Sequence, residues 1–373
     1  MGTMKLADRA LFGFGGEPFV GLLEQRVNDS LFVIRNLGHS EMKMHLCIGS
    51  DQQIPAGDEI ILSTESAFLE EGDIVRFNPI SRETRILYRK RSQHNFLFFT
   101  ERCNSRCLMC SQPPRDIDDA YLIDDILEMI PWMSKDTPEL GITGGEPTLL
   151  HEKLMEVIRS VKQHLPKTSL HMLSNGRLFS YLRYARSLAD IKHPDFMIGI
   201  PLYADTASVH DFVVQAKGAF EQTLFGILNL ARTGIRIELR MVIHRETHAR
   251  LAQYAQFVAR NLPFVDQVVF MGLELMGYAR TNLDRLWIDP VEYQVELEDA
   301  INILFDAGIR VFIYNHQLCL LPPSLHPFAR KSISDWKNIY MPACESCQAK
   351  ADCGGFFASA SLRYSQHIRP LSC

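Results

Sequence analysis

The run Phe98-Phe99-Thr100-Glu101-Arg102-Cys103-Asn104-Ser105-Arg106-Cys107-Leu108-Met109-Cys110 carries three cysteines at C-x3-C-x2-C spacing, just after an apolar segment that reads as a strand. Three thiolates this close together can grip three corners of a four-iron cluster. Ferredoxin patterns supply a fourth cysteine and fill every corner. This loop supplies none, so one iron keeps an open position and can bind and reduce a small molecule. The plain alternative is a zinc knot or a chance group of cysteines.

Working outward, Thr143-Gly144-Gly145-Glu146-Pro147 follows the segment Leu140-Gly141-Ile142. The two glycines allow close backbone approach and unusual dihedrals. Pro147 suits a first helical turn, so an ordinary strand-to-helix turn is the bland reading. The two motifs stand about one βα unit apart, and together they resemble the radical S-adenosylmethionine (radical SAM) superfamily. The resemblance implies that Cys103, Cys107 and Cys110 hold a [4Fe-4S] cluster whose open iron chelates SAM. One electron from an external donor then cleaves SAM to methionine and a 5′-deoxyadenosyl radical. The cofactor carries the chemistry while the protein positions it. The resemblance also implies that the Gly144, Gly145, Glu146 and Pro147 turn meets the SAM amino group. Met109 stands where the family usually has an aromatic residue against adenine.

Composition is consistent with a globular enzyme. Hydrophobic residues make up 46% of the 373, enough for sizeable cores, and the length suits two or three domains. The net charge of −5 gives no sign of a nucleic-acid surface. No apolar run reaches the length of a membrane span. Met1-Gly2-Thr3-Met4-Lys5-Leu6 lacks the basic-then-apolar pattern of a signal peptide. Nine cysteines, clustered at metal-ligand spacings, then point to a reducing, cytoplasmic setting rather than to disulfides.

The expected fold is α/β, in three parts. Residues 1–92 alternate short apolar runs with turn signals such as Pro55-Ala56-Gly57-Asp58 and read as a small β-rich domain. Within it, Cys47 reads as a buried small hydrophobe, and Arg85-Ile86-Leu87-Tyr88-Arg89-Lys90-Arg91 as an edge strand or solvated connector. Residues 93–275 alternate strands and helices, which implies a parallel sheet. Predicted strands begin near Phe96, Leu140, Ser169, Phe196, Ile235 and Gln267, with helices from Asp118 towards Met133 and over Leu154–Val161. Family resemblance turns these six units into a partial (β/α)6 TIM barrel. Barrel enzymes keep their sites at the carboxyl ends of the strands, where both motifs lie. Residues 276–373 form a C-terminal iron–sulfur extension.

Other strand ends carry weaker candidates. Ser174-Asn175-Gly176 closes the third strand, so Asn175 either faces SAM or makes a simple Asn-Gly turn. On the fourth strand, Pro201 replaces a serine that the family often turns to the SAM ribose. Arg240 matches a position where relatives hold the SAM carboxylate, which a guanidinium fork suits. Glu238 shares its strand parity, so a private Glu–Arg pair is equally open. The stretch Gly272-Leu273-Glu274-Leu275-Met276-Gly277-Tyr278-Ala279 has glycines that would let a ligand come close.

The C-terminal part holds Cys319, then Cys344-Glu345-Ser346-Cys347, then Cys353. This resembles the SPASM/twitch extensions of peptide-modifying radical SAM enzymes. A full SPASM pattern would place another cysteine at the position of Phe357. The resemblance therefore implies one auxiliary [4Fe-4S] cluster on Cys319, Cys344, Cys347 and Cys353, with Cys373 a spare ligand or a free thiol. Paired C-x2-C elements also fit zinc.

Taken together the motifs resemble ribosomal-peptide maturases, among them the C-type radical SAM maturases of His-Xaa-Ser systems. The resemblance implies a precursor peptide as substrate, a second radical SAM maturase subunit as partner, and a net oxidative modification. Three alternatives stand beside it: a small-molecule substrate, a supporting electron-transfer or scaffold subunit, and a non-enzymatic iron–sulfur carrier.

Overall fold

The structure, a computed structural model, describes residues 4–5, 11–12, 16–39, 43–49, 59–334 and 337–372. The turn at 55–58 and Cys373 lie outside the described residues.

The first sheet is built from β1 (Met4–Lys5), β2 (Leu11–Phe12), β3 (Phe19–Asn28), β4 (Leu31–Asn36), β5 (Lys43–Ile48), β6 (Glu59–Leu62), β7 (Ile74–Asn78) and β8 (Glu83–Tyr88), in the order β1-β8-β7-β3-β4-β5-β6-β2. Period-2 alternation buries one face. Phe32 and Ile34 of β4, Met44 and Leu46 of β5, and Val75 and Phe77 of β7 meet in one core. The basic stretch from Arg85 is not an edge. Its first residues belong to β8, which pairs with β1 on one side and β7 on the other, and Ile86, Leu87 and Tyr88 are buried. Counting charges hid the apolar residues between them. Cys47 is half-buried on β5, and burial pushes its thiol pKa up.

The second sheet comprises β9 (Asn95–Phe98), β10 (Glu139–Thr143), β11 (Ser169–Leu173), β12 (Phe196–Pro201), β13 (Arg236–Val242), β14 (Gln267–Met271), β15 (Arg310–Tyr314) and β16 (Ala329–Arg330). Its strand order follows chain order, and the β9–β10 pair and the pairs from β12 to β16 are parallel. This is the parallel, partly closed barrel arrangement expected of the alternating pattern, with strand bounds within one residue of those read from the sequence. The parallel strands run past residue 275: the helix Gln294–Asp306, with Leu297, Ala300, Ile301 and Leu304 buried on one stripe, leads into β15.

Two compact units divide the chain: Met1–Thr100 with Ile117–His171 and Ile191–Phe196, and Glu101–Asp116 with Met172–Asp190 and Met197–Cys373. In the first, α1 (Tyr121–Met129) ends sooner than expected, because Pro131 lacks an N–H and the chain tightens into a 3-10 turn over Ile130–Trp132. The next helix, α2 (Glu152–His164), buries Leu154, Val157, Ile158 and Val161 at helical spacing. Gly141 on β10 is required by packing: a Cβ there would meet the Phe96 ring at 2.1 Å. In the second unit, α3 (Leu182–Ala189), α4 (Ala207–Val214) and α5 (Ala219–Ala231) alternate with the strands. No helix among the described residues is long and apolar enough to cross a membrane.

Candidate functional site

The cysteine loop belongs to the second unit and is fastened from several sides. Arg106 N–H donates to the Val214 carbonyl at 3.0 Å and Leu108 N–H to Val213 at 2.9 Å, at the end of α4. Asn282 Nδ2 donates to the Leu108 carbonyl at 2.9 Å. Cys110 N–H returns to the Cys107 carbonyl at 3.0 Å, closing a tight turn. Leu108 and Met109 are buried, while Cys103, Cys107 and Cys110 are half-buried.

Gly277 explains part of the unusual stretch after β14. It has φ +54°, and a Cβ on it would meet the Cys110 carbonyl at 2.5 Å and the Ser111 carbonyl at 2.6 Å. Tyr278 N–H donates to Cys110 O at 2.8 Å. At Gly272 a Cβ would meet the Asn315 carbonyl at 2.4 Å. The close approach expected at these glycines is therefore made by the chain itself.

Asn175 does what an Asn-Gly turn does, and more. Its Oδ1 accepts Arg177 N–H at 3.0 Å, Gly176 is left-handed with φ +77°, and its Nδ2 donates to Asn104 Oδ1 at 2.6 Å, between the first two cysteines. Arg177 was not singled out by the sequence reading. Its Nη1 donates to the Asn104 carbonyl and to Ser105 Oγ, the latter at 3.1 Å, while Nε donates to Gln222 Oε1 at 2.7 Å. An arginine after an Asn-Gly turn carries no pattern, and its partners lie 45 to 73 residues away.

The electrostatics gather the three thiols. Burial first, then the charges of Cys110 and Cys103, push the Cys107 pKa up, and the Arg177 guanidinium opposes this. Burial also raises Cys110. The buried Tyr203, two residues after β12, feels Cys107, Cys110, Arg240 and Cys103 together, and burial holds its hydroxyl protonated. Its ring stacks on His210, whose pKa burial lowers to about 4. Arg240 thus acts in the same neighbourhood as the cysteine loop. Its Nη1 nonetheless donates to the buried Glu238, whose other oxygen accepts Gln267 Nε2. The Glu–Arg pair is present.

In the first unit the Gly144-Gly145-Glu146-Pro147 turn closes β10. Gly144 has φ +146°, and a Cβ on it would meet the Thr100 carbonyl at 2.7 Å. Gly145 N–H donates to that carbonyl at 2.6 Å. The Glu146 carboxylate is fully buried and accepts the Thr148 N–H at 3.1 Å and hydroxyl at 2.6 Å, capping the 3-10 turn that Pro147 opens.

The C-terminal cysteines come together in the second unit. Cys319 is raised by burial and then by the charges of Cys353 and Cys344. Cys347 N–H donates to the Cys344 carbonyl at 3.2 Å, placing the fourth thiol one turn away. Leu318 N–H reaches the Cys353 sulfur at 3.5 Å, and Tyr340 OH donates to the Cys353 carbonyl at 3.0 Å. Among the described residues no three His, Cys, Asp or Glu side chains converge on one metal ion. The donor chemistry of the two cysteine sets suits an iron–sulfur group. Both are all-thiol, and in each the thiolate charges repel in a way that iron cations would relieve.

A cleft with about 630 Å³ of atom-free space, part of it open to solvent, lies in the same unit. Gly272, Leu273 and Leu275 form one wall, in the segment that runs on to Gly277 and its contact with Cys110. Gln317 and Phe357 line it too, and Gln317 Nε2 donates to the Gly355 carbonyl at 2.7 Å, two residues after Cys353. Trp287, Tyr293 and Phe356 give it an aromatic character. His316 beside them is neutral: burial lowers its pKa to about 4, and Tyr293 OH lies 2.8 Å from Nε2.

Residues 97–258 match the family model of the Radical SAM superfamily. The matched segment is similar to that superfamily and spans the cysteine loop, the Gly-Gly-Glu turn and Arg240. A curated relative, GTP 3′,8-cyclase of Peptoclostridium acidaminophilum, is 27% identical over 209 residues, covering 54% of this chain and 60% of its own length. Among solved structures, Streptococcus suis SuiB bound to S-adenosylmethionine matches at TM-score 0.50 and 13% identity, over 69% of this chain and 56% of that one. SuiB bound to the precursor peptide SuiA matches at TM-score 0.47 and 13% identity, over 60% of this chain and 49% of that one. The chain therefore spans under two thirds of the length of these relatives, and at such identity the SAM-bound SuiB structure speaks for the fold alone.

Proposed function

We propose that this chain is a radical SAM enzyme that oxidatively modifies a ribosomally made peptide, of the His-Xaa-Ser repeat type that the sequence motifs resemble. It works in the cytoplasm with an external electron donor and a second radical SAM maturase subunit. Three parts are assigned, in the order 1–92, 93–275 and 276–373: a β-rich domain, the radical SAM barrel, and the extension that holds one auxiliary [4Fe-4S] cluster. The observation that carries the reading is the second all-thiol set in the same compact unit as the Cys103, Cys107 and Cys110 loop, with an aromatic cleft whose walls lead to both.

When bound, SAM on its cluster would supply hydrogen-abstracting radical chemistry. The chain's own residues do the rest. Cys103, Cys107 and Cys110 present three thiolates, and Asn175 and Arg177 hold their loop. By the motif resemblance, backbone of the Gly144–Pro147 turn would serve the SAM amino group, Arg240 its carboxylate and Met109 its adenine. Cys319, Cys344, Cys347 and Cys353 would hold an auxiliary cluster, which would supply an electron acceptor.

A small-molecule substrate is the second reading, favoured by the nucleotide-cyclising curated relative. Against a nucleoside triphosphate stands the cleft itself: its lining arginine, Arg363, is already paired with Asp284 at 2.8 Å and lies over Trp287. The deciding experiment measures anaerobic 5′-deoxyadenosine formation by reconstituted protein with SAM and reductant, with and without the co-encoded peptide. Strong stimulation by peptide supports the proposal. Turnover that waits for the second subunit assigns the chain to an obligate complex, and stimulation by GTP in place of peptide contradicts the peptide reading.

A further inference from the structure

The tail of the chain gives the C-terminal thiols something their spacing does not encode. Leu371 N–H donates to the Cys347 sulfur at 3.3 Å. The tail is itself tied down, since the Leu371 carbonyl accepts Gln348 N–H at 3.0 Å, one residue beyond Cys347. The tail therefore puts a donor on one of the four sulfurs. Leu318 gives a second sulfur, Cys353, its own N–H.

A sulfur that accepts an N–H bond has its negative charge stabilised. Reduction adds negative charge, so such bonds favour the reduced state and raise the potential of an iron–sulfur cluster. They also fix the orientation of the ligands, as outer partners of metal sites do. We propose that the tail at Leu371 forms a strap whose backbone N–H orients the Cys347 thiolate and raises the potential of the auxiliary cluster, helping it to accept an electron. The inference rests on the reading of those four cysteines as cluster ligands. Leu371 is on this account a positioning residue that acts through its backbone, so its side chain is dispensable and its N–H is not.

The test uses the full-length reconstituted protein carrying Cys103→Ala, Cys107→Ala and Cys110→Ala, which leaves only the C-terminal cluster to observe. Leu371→Ala keeps the N–H and Leu371→Pro removes it. A reductive titration followed by electron paramagnetic resonance is expected to give Leu371→Ala the parent potential and Leu371→Pro a more negative one. Equal potentials in the two variants would overturn the strap. If Leu371→Pro takes up no cluster, the decision passes to Leu371→Ala in deuterated water. Exchangeable deuteron coupling at its cluster is expected, and its absence overturns the proposal. A separate control keeps the two claims apart: adding Cys344→Ala and Cys347→Ala must remove the remaining iron. Iron that stays would sink the ligand assignment itself, whatever the strap does.

Discussion

The two thiol sites of the second unit are built in opposite ways. The Cys103–Cys110 loop is short, and ordered elements grip it: the end of α4 through Val213 and Val214, the Asn175–Arg177 turn through Asn104 and Ser105, and the Gly277–Tyr278 backbone through Cys110. Its shape is fixed by a parallel-sheet domain that exists for other reasons. The C-terminal set draws its cysteines from 3-10 turns and irregular chain, with little regular structure to position them: Cys319 in one turn, Cys344 ending another, and Cys347 and Cys353 flanking a third. A site gripped by a scaffold is ordered before metal arrives. A site made of loops takes much of its order from the metal, since binding free energy there is folding free energy.

The sharpest way to separate the sites is to remove the second one. Cys344→Ala with Cys347→Ala is expected to leave SAM cleavage in place while product per 5′-deoxyadenosine falls about tenfold or more, by analogy with losses in metal sites. Mass spectrometry of the peptide beside chromatography of the nucleoside measures it, and equal losses of both would erase the division of labour. At the first site, Arg177→Met should lower SAM cleavage by about 10- to 100-fold, the usual loss for an outer partner of a metal site, with C-terminal iron unchanged. A loss spread evenly over both clusters would make Arg177 a general stability residue.

Gly277→Ala should cost about 1–3 kcal/mol of stability, because the new Cβ meets two carbonyls at a positive φ. The melting temperature should drop, with iron loss at the SAM-site loop ahead of the C-terminal set. The smallest effect concerns pH. His210 is held neutral, with a folded pKa of about 4 against an ordinary 6.5. Below 6.5 the unfolded chain binds the proton and the folded chain does not, so the stability His210 contributes is lost as pH falls from 6.5 towards 4. Melting curves of the metal-free protein across that window should have a shallower slope in His210→Gln. An unchanged slope would remove His210, and with it the Tyr203 stack, from the account of the first site.

Much of the fold was legible because its signals are local. Apolar runs between turn residues set β9 to β14 within a residue, and the C-x3-C-x2-C and Gly-Gly-Glu motifs sit at the strand ends where the spacing placed them. What escaped was set by long-range packing. β8 was read by its charges although Ile86, Leu87 and Tyr88 are the residues that fix its place. The Gly272 and Gly277 positions advertised a close approach but not by what, since Asn315 and Cys110 lie far off in the chain. Arg177 was invisible for the same reason. The Leu371 donor is a backbone group, which every residue but proline has, so no sequence pattern marks it.

The central claim is that Cys103, Cys107 and Cys110 together support SAM cleavage. It is tested most directly by anaerobic 5′-deoxyadenosine formation from SAM and dithionite, in the reconstituted wild-type chain with its peptide and partner subunit and in the same mixture with Cys107→Ala. The account predicts nucleoside in the first and only background in the second. Nucleoside formed at the wild-type rate with Cys107→Ala would contradict it.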